Sequence, residues 1–349
     1  MRRYPTIADG VAQGSDNFLL LRFLAAALVI YGHAPSISGQ GPADLFLWLG
    51  WSSYSGEIAV DLFFVVSGFL VSASWLRRAH LGAFLRARVL RIVPAYAACI
   101  LVCAFALGPM FTTLPLRDYY ADSQTWNYVL TNLHFGPRLA WLLSGVFTDH
   151  PSAVINGSIW TLPIEVLMYA CVAALGLCGV LARRNAATFL LVILGAITVA
   201  YFRPMLSAPF TDYLRMAALF ALGSLCWLWR ERIPNHGVVV LIFVALAWAT
   251  AGTLFYAYLF ALAEVAFVFW FAYRLGGTQS PLRRFNSFGD YSYGLYLWGY
   301  PAQQIVVTLI GPQSALVNAV CGFLIALPLA VVSWHVIERP ALRLKSRWA

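Results

Sequence analysis

Charged side chains are scarce in this sequence of 349 residues: only 11% are Asp, Glu, Lys or Arg, whereas 61% are hydrophobic. This balance excludes a soluble globular protein, in which about 25% of residues are charged. The six cysteines have no metal-ligand spacing and are interpreted as packing residues. Internal repeats and low-complexity segments are also missing. A cleavable signal peptide is not expected, because the first apolar run holds an arginine and lacks a small-residue cleavage site.

What the sequence has instead is about ten apolar runs near the 17–25 residues that a membrane-spanning helix needs. Because lipid tolerates no open strand edges, the fold class is predicted as an all-α polytopic membrane protein with about ten transmembrane helices. It is treated as a single membrane-embedded domain over residues 1–349, with an outer loop at about 112–158. The predicted spans are residues 17–38, 57–76, 92–111, 160–181, 186–202, 213–230, 237–253, 255–275, 291–310 and 315–336.

The net charge of +9 would suit a nucleic-acid partner, but its distribution along the chain indicates a membrane topology instead. With the N-terminus inside, 18 of the 23 basic residues fall on the cytoplasmic side. The outer loops keep only Arg117, Arg138 and Arg203, and Arg22 and Arg215 fall within spans. This asymmetry follows the positive-inside rule. Both termini are therefore predicted to be cytoplasmic, and no nucleic-acid partner is expected.

The first apolar run contains two residues that hydrocarbon disfavours, the cation Arg22 and the titratable base His33. The 11 positions between them correspond on a helix to about three turns and about 16 Å along the axis. Their side chains therefore point to nearly the same face. A charged arginine is costly in hydrocarbon unless it faces a cavity or a partner. The helix is predicted to line a polar passage, with His33 as a base towards its outer side.

Three carboxylates enter the predicted membrane from the outer side: Glu57 and Asp61 in the second span and Glu165 in the fourth. The helix dipole stabilises acids at a helix N-terminus, which gives Glu57 a structural explanation. Asp61 lies one turn deeper, at about the depth of His33, and is predicted to orient or charge-stabilise that imidazole. Glu165 shares a face with Tyr169 and belongs either to the membrane interface or to the site.

Two further segments leave alternatives open. Arg88 and Arg91 are spaced i, i+3 just before the third span, and are either a topology signal or a contact for a polyanion arriving from the cytosol. The spans between residues 186 and 275 contain few charges beyond Arg215 and Glu264 and are interpreted as scaffold. In the outer loop, residues 128–147 are predicted to form a helix along the membrane interface.

Together these motifs resemble the acyltransferase-3 family, the integral-membrane acyltransferases that modify extracytoplasmic glycans. Each motif is weak alone, but all follow one another in order from about residue 15 to residue 342. They are Arg22-x10-His33 in LLRFLAAALVIYGHA, the second span GEIAVDLFFVVSGFL, Arg88-x-x-Arg91 in RARVLRIVPAY, Trp160, Glu165 and Tyr169 in WTLPIEVLMY, SYGLYLW, and Ile337-Glu338-Arg339-Pro340.

The resemblance implies an O-acyltransferase of the bacterial cytoplasmic (inner) membrane. Its co-substrate is expected to be cytosolic acyl-CoA, by default acetyl-CoA, bound by Arg22, Arg88 and Arg91, and no metal is expected. The implied partners are membrane lipids and a glycan or lipid-linked saccharide acceptor, and homo-oligomerisation stays open. The residues assigned to substrate binding are Trp160, Tyr169, Tyr293, Tyr296, Trp298 and Glu338.

The implied reaction is direct transfer. His33 takes the proton of the acceptor hydroxyl, Asp61 or Glu165 holds the imidazole, and the hydroxyl oxygen attacks the thioester carbonyl. A covalent acyl intermediate on His33 or on a tyrosine such as Tyr169 is the rival mechanism. Family members often have a histidine where this chain has Gly299, so His33 is the main imidazole candidate.

A different class of function also fits the intramembrane charges. In a secondary transporter or lipid-linked sugar flippase, Arg22 and His33 would form a substrate or proton path. The missing inverted repeat and the clustering of cations at one mouth disfavour this interpretation. The sequence ends nine residues after Pro340, so an appended soluble hydrolase-like domain, as in some family members, is not expected.

Overall fold

A computed structural model describes residues 5–40, 44–136, 138–182, 185–201, 208–275 and 281–344. Within these ranges the regular structure is helical, and the β-bridges Thr6 to Pro234 and Thr112 to Val146 are isolated. The predicted all-α class is therefore confirmed for the described part of the chain. Some residues that carry the predicted charge asymmetry lie outside these ranges, namely Arg2, Arg3, Arg183, Arg184, Arg203, Lys345 and Arg347.

The helices of the described residues vary from single turns to six or more turns. In chain order they are α1 (Ile7–Ala12), α2 (Phe18–Ser38), α3 (Leu45–Trp48), α4 (Ser55–Arg78), α5 (Leu81–Val102), α6 (Gly108–Phe111), α7 (Leu116–Ala121), α8 (Ser123–Leu133), α9 (Leu162–Leu177), α10 (Ala186–Tyr201), α11 (Ala208–Leu228), α12 (Gly237–Ala249), α13 (Leu254–Tyr273), α14 (Ser292–Ile310), α15 (Ala315–Ser333) and α16 (Arg339–Arg343). Shorter turns are 3-10 at Ser158–Thr161 and Pro281–Ser287 and π-helical at Cys103–Leu107 and Trp334–Glu338.

Each of the ten apolar runs predicted as a span coincides with a helix over the residues that the structure describes. The number of ten spans and the cytoplasmic position of both termini stay predictions. The chain is nonetheless a helical membrane protein, because six helical stretches in the described ranges are long and apolar enough to cross a bilayer. These are Phe18–Ser38, Ser55–Arg78, Leu81–Phe111, Ser158–Leu177, Leu254–Tyr273 and Ala315–Arg343.

Two helix boundaries differ from the predicted ones. The third span was expected from residue 92, but its helix begins at Leu81 and therefore carries Arg91 within it. The helix predicted for residues 128–147 is wrong beyond Leu133, where α8 ends, and residues 138–147 are not helical. The backbone turns into the left-handed region at Phe135 (φ +56°). Pro137 follows in the sequence, and proline disfavours helical geometry at the residue before it.

The chain divides into two compact units. Unit 1 comprises Met1–Ala25, Phe46–Phe84 and Val166–Gly289, and unit 2 comprises Ala26–Leu45, Leu85–Glu165 and Asp290–Ala349. The first third of α2 belongs to unit 1 and the rest belongs to unit 2. Arg22 is therefore a residue of unit 1, and His33 is a residue of unit 2.

Unit 1 is built on the close packing of α4 and α11. A Cβ atom at Gly68 would lie 1.9 Å from the carbonyl oxygen of Phe220, and one at Gly223 would lie 2.1 Å from that of Val65. No side chain fits at such distances, so the two backbones approach each other because both positions are glycine. This contact fixes the part of α4 that follows the carboxylates Glu57 and Asp61.

Unit 2 is organised by α14, whose residues 292–304 are all buried. Its packing on α15 is close, since a Cβ atom at Gly294 would lie 2.8 Å from the Cα atom of Ala330. Its packing on α2 includes a hydrogen bond of 2.8 Å from the buried amide Nε2 of Gln303 to the carbonyl oxygen of Ile30. The position of α14 therefore determines which side chains meet α2.

Candidate active site

His33 is half-buried on α2, with its imidazole packed edge-on against the ring of Tyr300 on α14. The ring centroids are 5.2 Å apart at an interplanar angle of 70°. Tyr300 is held in turn by Ser152, whose hydroxyl lies 3.1 Å from the phenol oxygen, and by Gly157, where a Cβ atom would come within 2.5 Å of the ring. In the described part of the chain, neither ring nitrogen of His33 has a hydrogen-bond partner. The imidazole is thus positioned by packing against Tyr300.

Gly299 packs against α2 one turn before His33. A Cβ atom there would lie 2.6 Å from Cγ1 and 3.0 Å from Cδ1 of Ile30. A larger side chain at this position would require Ile30 to move, because real Cβ contacts are not this short. A histidine at position 299, as family members often have, would therefore displace the side chain of Ile30.

Arg91 on α5 is surrounded by groups from two distant parts of the sequence. Its Nη2 lies 2.5 Å from Oδ2 of Asp290, and its Nη1 lies 3.6 Å from Oε2 of Glu338. Its guanidinium carbon lies 5.5 Å from the ring centroid of Tyr293, within range of a cation–π interaction. Ser333 donates a hydrogen bond of 3.0 Å to the other carboxylate oxygen of Glu338. The motif residues Arg91, Tyr293 and Glu338 therefore form one cluster.

The Arg91 cluster and His33 contact the same helix at different levels. Tyr293 and Tyr300, which touch Arg91 and His33 respectively, are seven residues apart on α14. Seven residues are about two helical turns, so both tyrosines point to the same side, about 10 Å apart along the axis. α14 therefore contacts a guanidinium and an imidazole about two turns apart within unit 2.

The aromatic residues between these levels are buried and partly hydrogen-bonded. Tyr296 donates to the carbonyl oxygen of Ser158 and accepts a hydrogen bond of 2.6 Å from the hydroxyl of Thr161. The indole nitrogen of Trp298 is buried without a hydrogen-bond partner among the described residues. Trp160 is half-buried in the same 3-10 turn as Ser158 and Thr161.

The other residues predicted to form the site are spread over both units. Arg88 lies one turn before Arg91 on α5, and Glu165 lies in the first turn of α9; both are half-buried in unit 2. Arg22 is half-buried on α2 and Tyr169 is buried on α9, and these two residues belong to unit 1. The roles assigned to all four residues stay predictions.

Asp61 on α4 is a residue of unit 1 that forms an ion pair with Arg215 on α11. Nη1 of Arg215 donates to both carboxylate oxygens of Asp61, at 2.7 and 2.6 Å. The Asp61 side chain is 5% exposed and that of Arg215 is 24% exposed. Both oxygens predicted to serve the imidazole of His33 are therefore already engaged by a guanidinium. The catalytic role of Asp61 stays a prediction, but the ion pair is an observed one.

The ion pair borders a cavity of about 240 Å³ in unit 1, which three more carboxylates line: Glu57, Asp212 and Glu264. Glu264 is only 5% exposed, and its Oε1 has no hydrogen-bond partner among the described residues. The sequence interpretation had left Arg215 and Glu264 in the scaffold. Their charge within apolar runs was the available signal, since ionisable residues inside a membrane usually mark a functional or paired position.

Metal coordination is not supported by the described side chains. Among the residues that the structure describes, no group of three or more His, Cys, Asp or Glu is placed to hold a metal ion. The His33 imidazole packs against Tyr300, and the Arg91 guanidinium contacts Tyr293 two turns away on α14. An imidazole can serve acid–base chemistry, and a guanidinium can bind an anion.

Comparison with known families assigns this arrangement to a class. A family profile described as an acyltransferase domain matches residues 16–335, which is almost the whole chain. The protein therefore belongs to the acyltransferase-3 family, as the sequence motifs indicated, and it is an acyltransferase of the multi-pass helical membrane type. No solved structure matches the chain significantly.

Several curated proteins are similar along most of their length. An O-acetyl transferase of Shigella phage Sf6 is 28% identical, over 93% of this chain and 95% of the phage protein. Nodulation protein 10 of Rhizobium leguminosarum bv. viciae is 26% identical, over 95% of this chain and 94% of that protein. The exopolysaccharide production protein ExoZ of Rhizobium meliloti is 28% identical, over 82% of this chain and 90% of that protein.

Proposed function

We propose that this protein is a membrane O-acetyltransferase that moves an acetyl group from acetyl-CoA to a hydroxyl of an extracytoplasmic polysaccharide, with His33 as the general base. The similarity to an O-acetyl transferase and to an exopolysaccharide production protein supports the acyl group and the acceptor class. The observation that carries the proposal is the arrangement on α14, with the Arg91 contact and the His33 contact two turns apart.

Acetyl-CoA is the proposed acyl donor because its phosphates need cations and its thioester must reach a base. A guanidinium carries five N–H groups, and Asp290 occupies one of those of Arg91 in a hydrogen bond. Arg91 and Arg88, one turn apart on α5, are proposed to bind phosphate oxygens. A phosphate would compete with Asp290 and Glu338 for the guanidinium of Arg91. These carboxylates therefore hold Arg91 in position but lower its affinity for phosphate. Arg22 keeps its role as a further predicted phosphate contact.

In the proposed reaction, His33 removes the proton from the attacking hydroxyl as its oxygen bonds to the thioester carbonyl carbon. The carbon–sulfur bond then breaks, and the protonated imidazole returns the proton to the departing thiolate of coenzyme A. The products are the O-acetyl ester and the free thiol, so the reaction needs no further oxidant, reductant or base. General base catalysis supplies about 10²–10⁴-fold in rate, and holding both substrates in line supplies more. Glu165 is retained as the proposed partner of the imidazole in unit 2.

The test is acetyl transfer by purified protein in lipid nanodiscs, using isotopically labelled acetyl-CoA and polysaccharide that mild alkali has stripped of its O-acetyl groups. His33→Ala is expected to lower kcat by about 10²–10⁴-fold without lowering the melting temperature. His134→Ala is the matched control, because His134 is exposed at the end of α8. Transfer that persists in His33→Ala at the wild-type rate would eliminate the proposed mechanism.

The rival covalent mechanism predicts a different product in the absence of acceptor. Intact-protein mass spectrometry after incubation with acetyl-CoA alone would then show one added acetyl group in the wild type and none in the variant that lacks the acylated side chain, His33→Ala or Tyr169→Phe. Direct transfer predicts no stable acetylated protein in either variant. The two mechanisms are thereby separated without knowledge of the natural acceptor.

A transporter or flippase is the second candidate, and the charged cavity of unit 1 is the observation that favours it. Binding of coenzyme A separates the two. An acetyltransferase is expected to be thermally stabilised by acetyl-CoA, with the stabilisation reduced in Arg88→Ala. A sugar transporter is expected to show no stabilisation by acetyl-CoA in any variant.

A further inference from the structure

Unit 2 contains a second polar feature that the proposed proton transfer at His33 does not use, a cavity of about 580 Å³. This volume lies within the usual size of small-molecule sites. The cavity is lined from the end of α2, from α6, from the loop before α9 and from the end of α14; the residues that matter here are Ser38, Met110, Phe147, His150, Thr308 and Gln313.

Gln313 is the observation that points to a ligand. Its side chain is 8% exposed, and both its amide oxygen and its amide nitrogen are buried without a hydrogen-bond partner among the described residues. Buried amides are almost always hydrogen-bonded, because an unsatisfied one loses its interactions with water and gains nothing. Since Gln313 lines the cavity, its amide offers two N–H donors and one acceptor to whatever occupies that space.

His150 forms a fixed wall of the cavity. Its ring is stacked on Phe147, with centroids 4.7 Å apart at 19°. The amide nitrogen of Gln304 donates to two loop carbonyls, so its oxygen faces His150 and accepts from Nδ1–H at 2.9 Å. The hydroxyl of Thr308 lies 3.2 Å from Nε2 of the same ring. Both nitrogens are therefore engaged by protein groups, and His150 serves as an aromatic surface.

The charges around the cavity restrict the chemistry of the ligand. Among the described residues that line it there is one carboxylate, Asp149, whose side chain is 88% exposed, and no lysine or arginine. A phosphate or a uronic acid would find no cation there. A neutral sugar needs hydrogen-bonding partners for its hydroxyl groups and no counter-ion, which matches the amide and the threonine hydroxyls of the lining.

We propose that this cavity is a subsite for a neutral sugar residue of the acceptor polysaccharide, hydrogen-bonded by the amide of Gln313. The proposal rests on the proposed function and adds to it the place and the chemistry of acceptor binding. Thr308 lies eight residues beyond Tyr300 on α14, about 12 Å, and Ser38 lies five residues beyond His33 on α2, about 8 Å. A sugar in the cavity is therefore a neighbour of the residue that is acetylated, and it sets which position along the polysaccharide reaches His33.

The first measurement is equilibrium binding of the alkali-treated polysaccharide to nanodisc-embedded protein, in the absence of acetyl-CoA. Gln313→Leu removes the amide and keeps the volume, and Met110→Trp narrows the mouth at a side chain that is 75% exposed. Each is expected to weaken binding by about tenfold, the equivalent of one or two neutral hydrogen bonds. Gln124→Leu is the matched control, because Gln124 lies on α8, also in unit 2, and outside the cavity lining.

The second measurement is turnover, in which Gln313→Leu should raise the KM for polysaccharide by the same factor and leave the KM for acetyl-CoA and kcat unchanged. Its melting temperature should be equal to or above that of the wild type, because an unsatisfied buried amide is removed. A lower melting temperature with unchanged polysaccharide binding would show a structural role and overturn the proposal, as would equal weakening in Gln124→Leu. Polysaccharide binding without any acetyl transfer by the wild type would instead refute the proposed function and leave the subsite standing.

Discussion

The ion pair between Asp61 and Arg215 allows a decisive test of whether Asp61 acts on the imidazole or on its own unit. If the pair is structural, Asp61→Asn and Arg215→Met should each lower the stability of the protein. The double variant should then be no less stable than the worse single variant, because the charge left behind by either substitution is removed by the other.

The expected magnitudes follow from burial and from the neighbouring charges. Breaking a buried ion pair costs about 3–5 kcal/mol. Arg215 is 24% exposed, and three other carboxylates line its cavity, so it keeps favourable neighbours when Asp61 is neutralised. Asp61→Asn is therefore expected to lower the free energy of unfolding by about 3 kcal/mol, near the lower end of that range. Arg215→Met leaves four carboxylates without their cation and is expected near the upper end, about 5 kcal/mol.

Thermal unfolding in nanodiscs and acetyl transfer below the melting temperature are the paired measurements. Asp118→Asn serves as the control, because Asp118 is exposed on α7. With a structural pair, kcat per folded molecule should stay within a few-fold of the wild type in Asp61→Asn, and stability should recover in the double variant.

The opposite pattern would refute this reasoning. If Asp61→Asn abolished turnover at unchanged melting temperature, and if Arg215→Met did not restore it, Asp61 would act on the reacting groups. The role predicted from its depth beside His33 would then be correct, and its ion pair would be incidental to folding.

Substitutions at three further sites, two of them with a companion variant, have clear expected results. Arg91→Lys keeps the charge but loses the planar fork of N–H groups, so the KM for acetyl-CoA should rise by about tenfold in the transfer assay, while a null effect would remove Arg91 from acyl-donor binding. Gly299→Ala should lower the melting temperature through its contact with Ile30, at a cost of about 1–3 kcal/mol in stability. Adding Ile30→Val to the same chain should recover part of that stability. Independent, additive effects of the two substitutions would show that the two side chains do not clash. Gly68→Ala should prevent stable folding, because its Cβ atom would lie 1.9 Å from a backbone oxygen of α11. Gly195→Ala is the comparison: nothing lies within 4 Å of its Cβ position, so this substitution should raise helix stability by about 1 kcal/mol.

The helical framework was largely predictable from the sequence, because long apolar runs permit only helices in a bilayer. Short-range features were less predictable. Residues 128–147 were predicted to form a helix along the membrane interface, but Gly136 and Pro137 follow within four residues of Leu133. Proline restricts the residue before it and removes a donor, and this local effect outweighed the apolar pattern.

Pairings between distant residues could not be predicted. Asp61 and Arg215 are separated by 154 positions, and only the packing of α4 on α11 brings them together. The contact of Arg91 with Glu338 likewise depends on how α5 and the π-helical turn at Trp334–Glu338 pack within unit 2. Gln313 carried no signal in the sequence, because an uncharged amide in a connecting segment is ordinary until its burial without partners is known.

The burial of α14 over residues 292–304 has a consequence for how such an enzyme can diversify. Tyr293, which contacts Arg91, and Thr308, which lines the cavity of about 580 Å³, are fifteen residues apart on α14. This separation corresponds to about 22 Å along the helix axis. Substitutions more than about 10 Å apart usually have additive effects. With the proposed sugar subsite, substitutions around Thr308 can change which sugar is bound without disturbing the contact of Tyr293 with Arg91, so acceptor recognition and donor recognition can evolve separately.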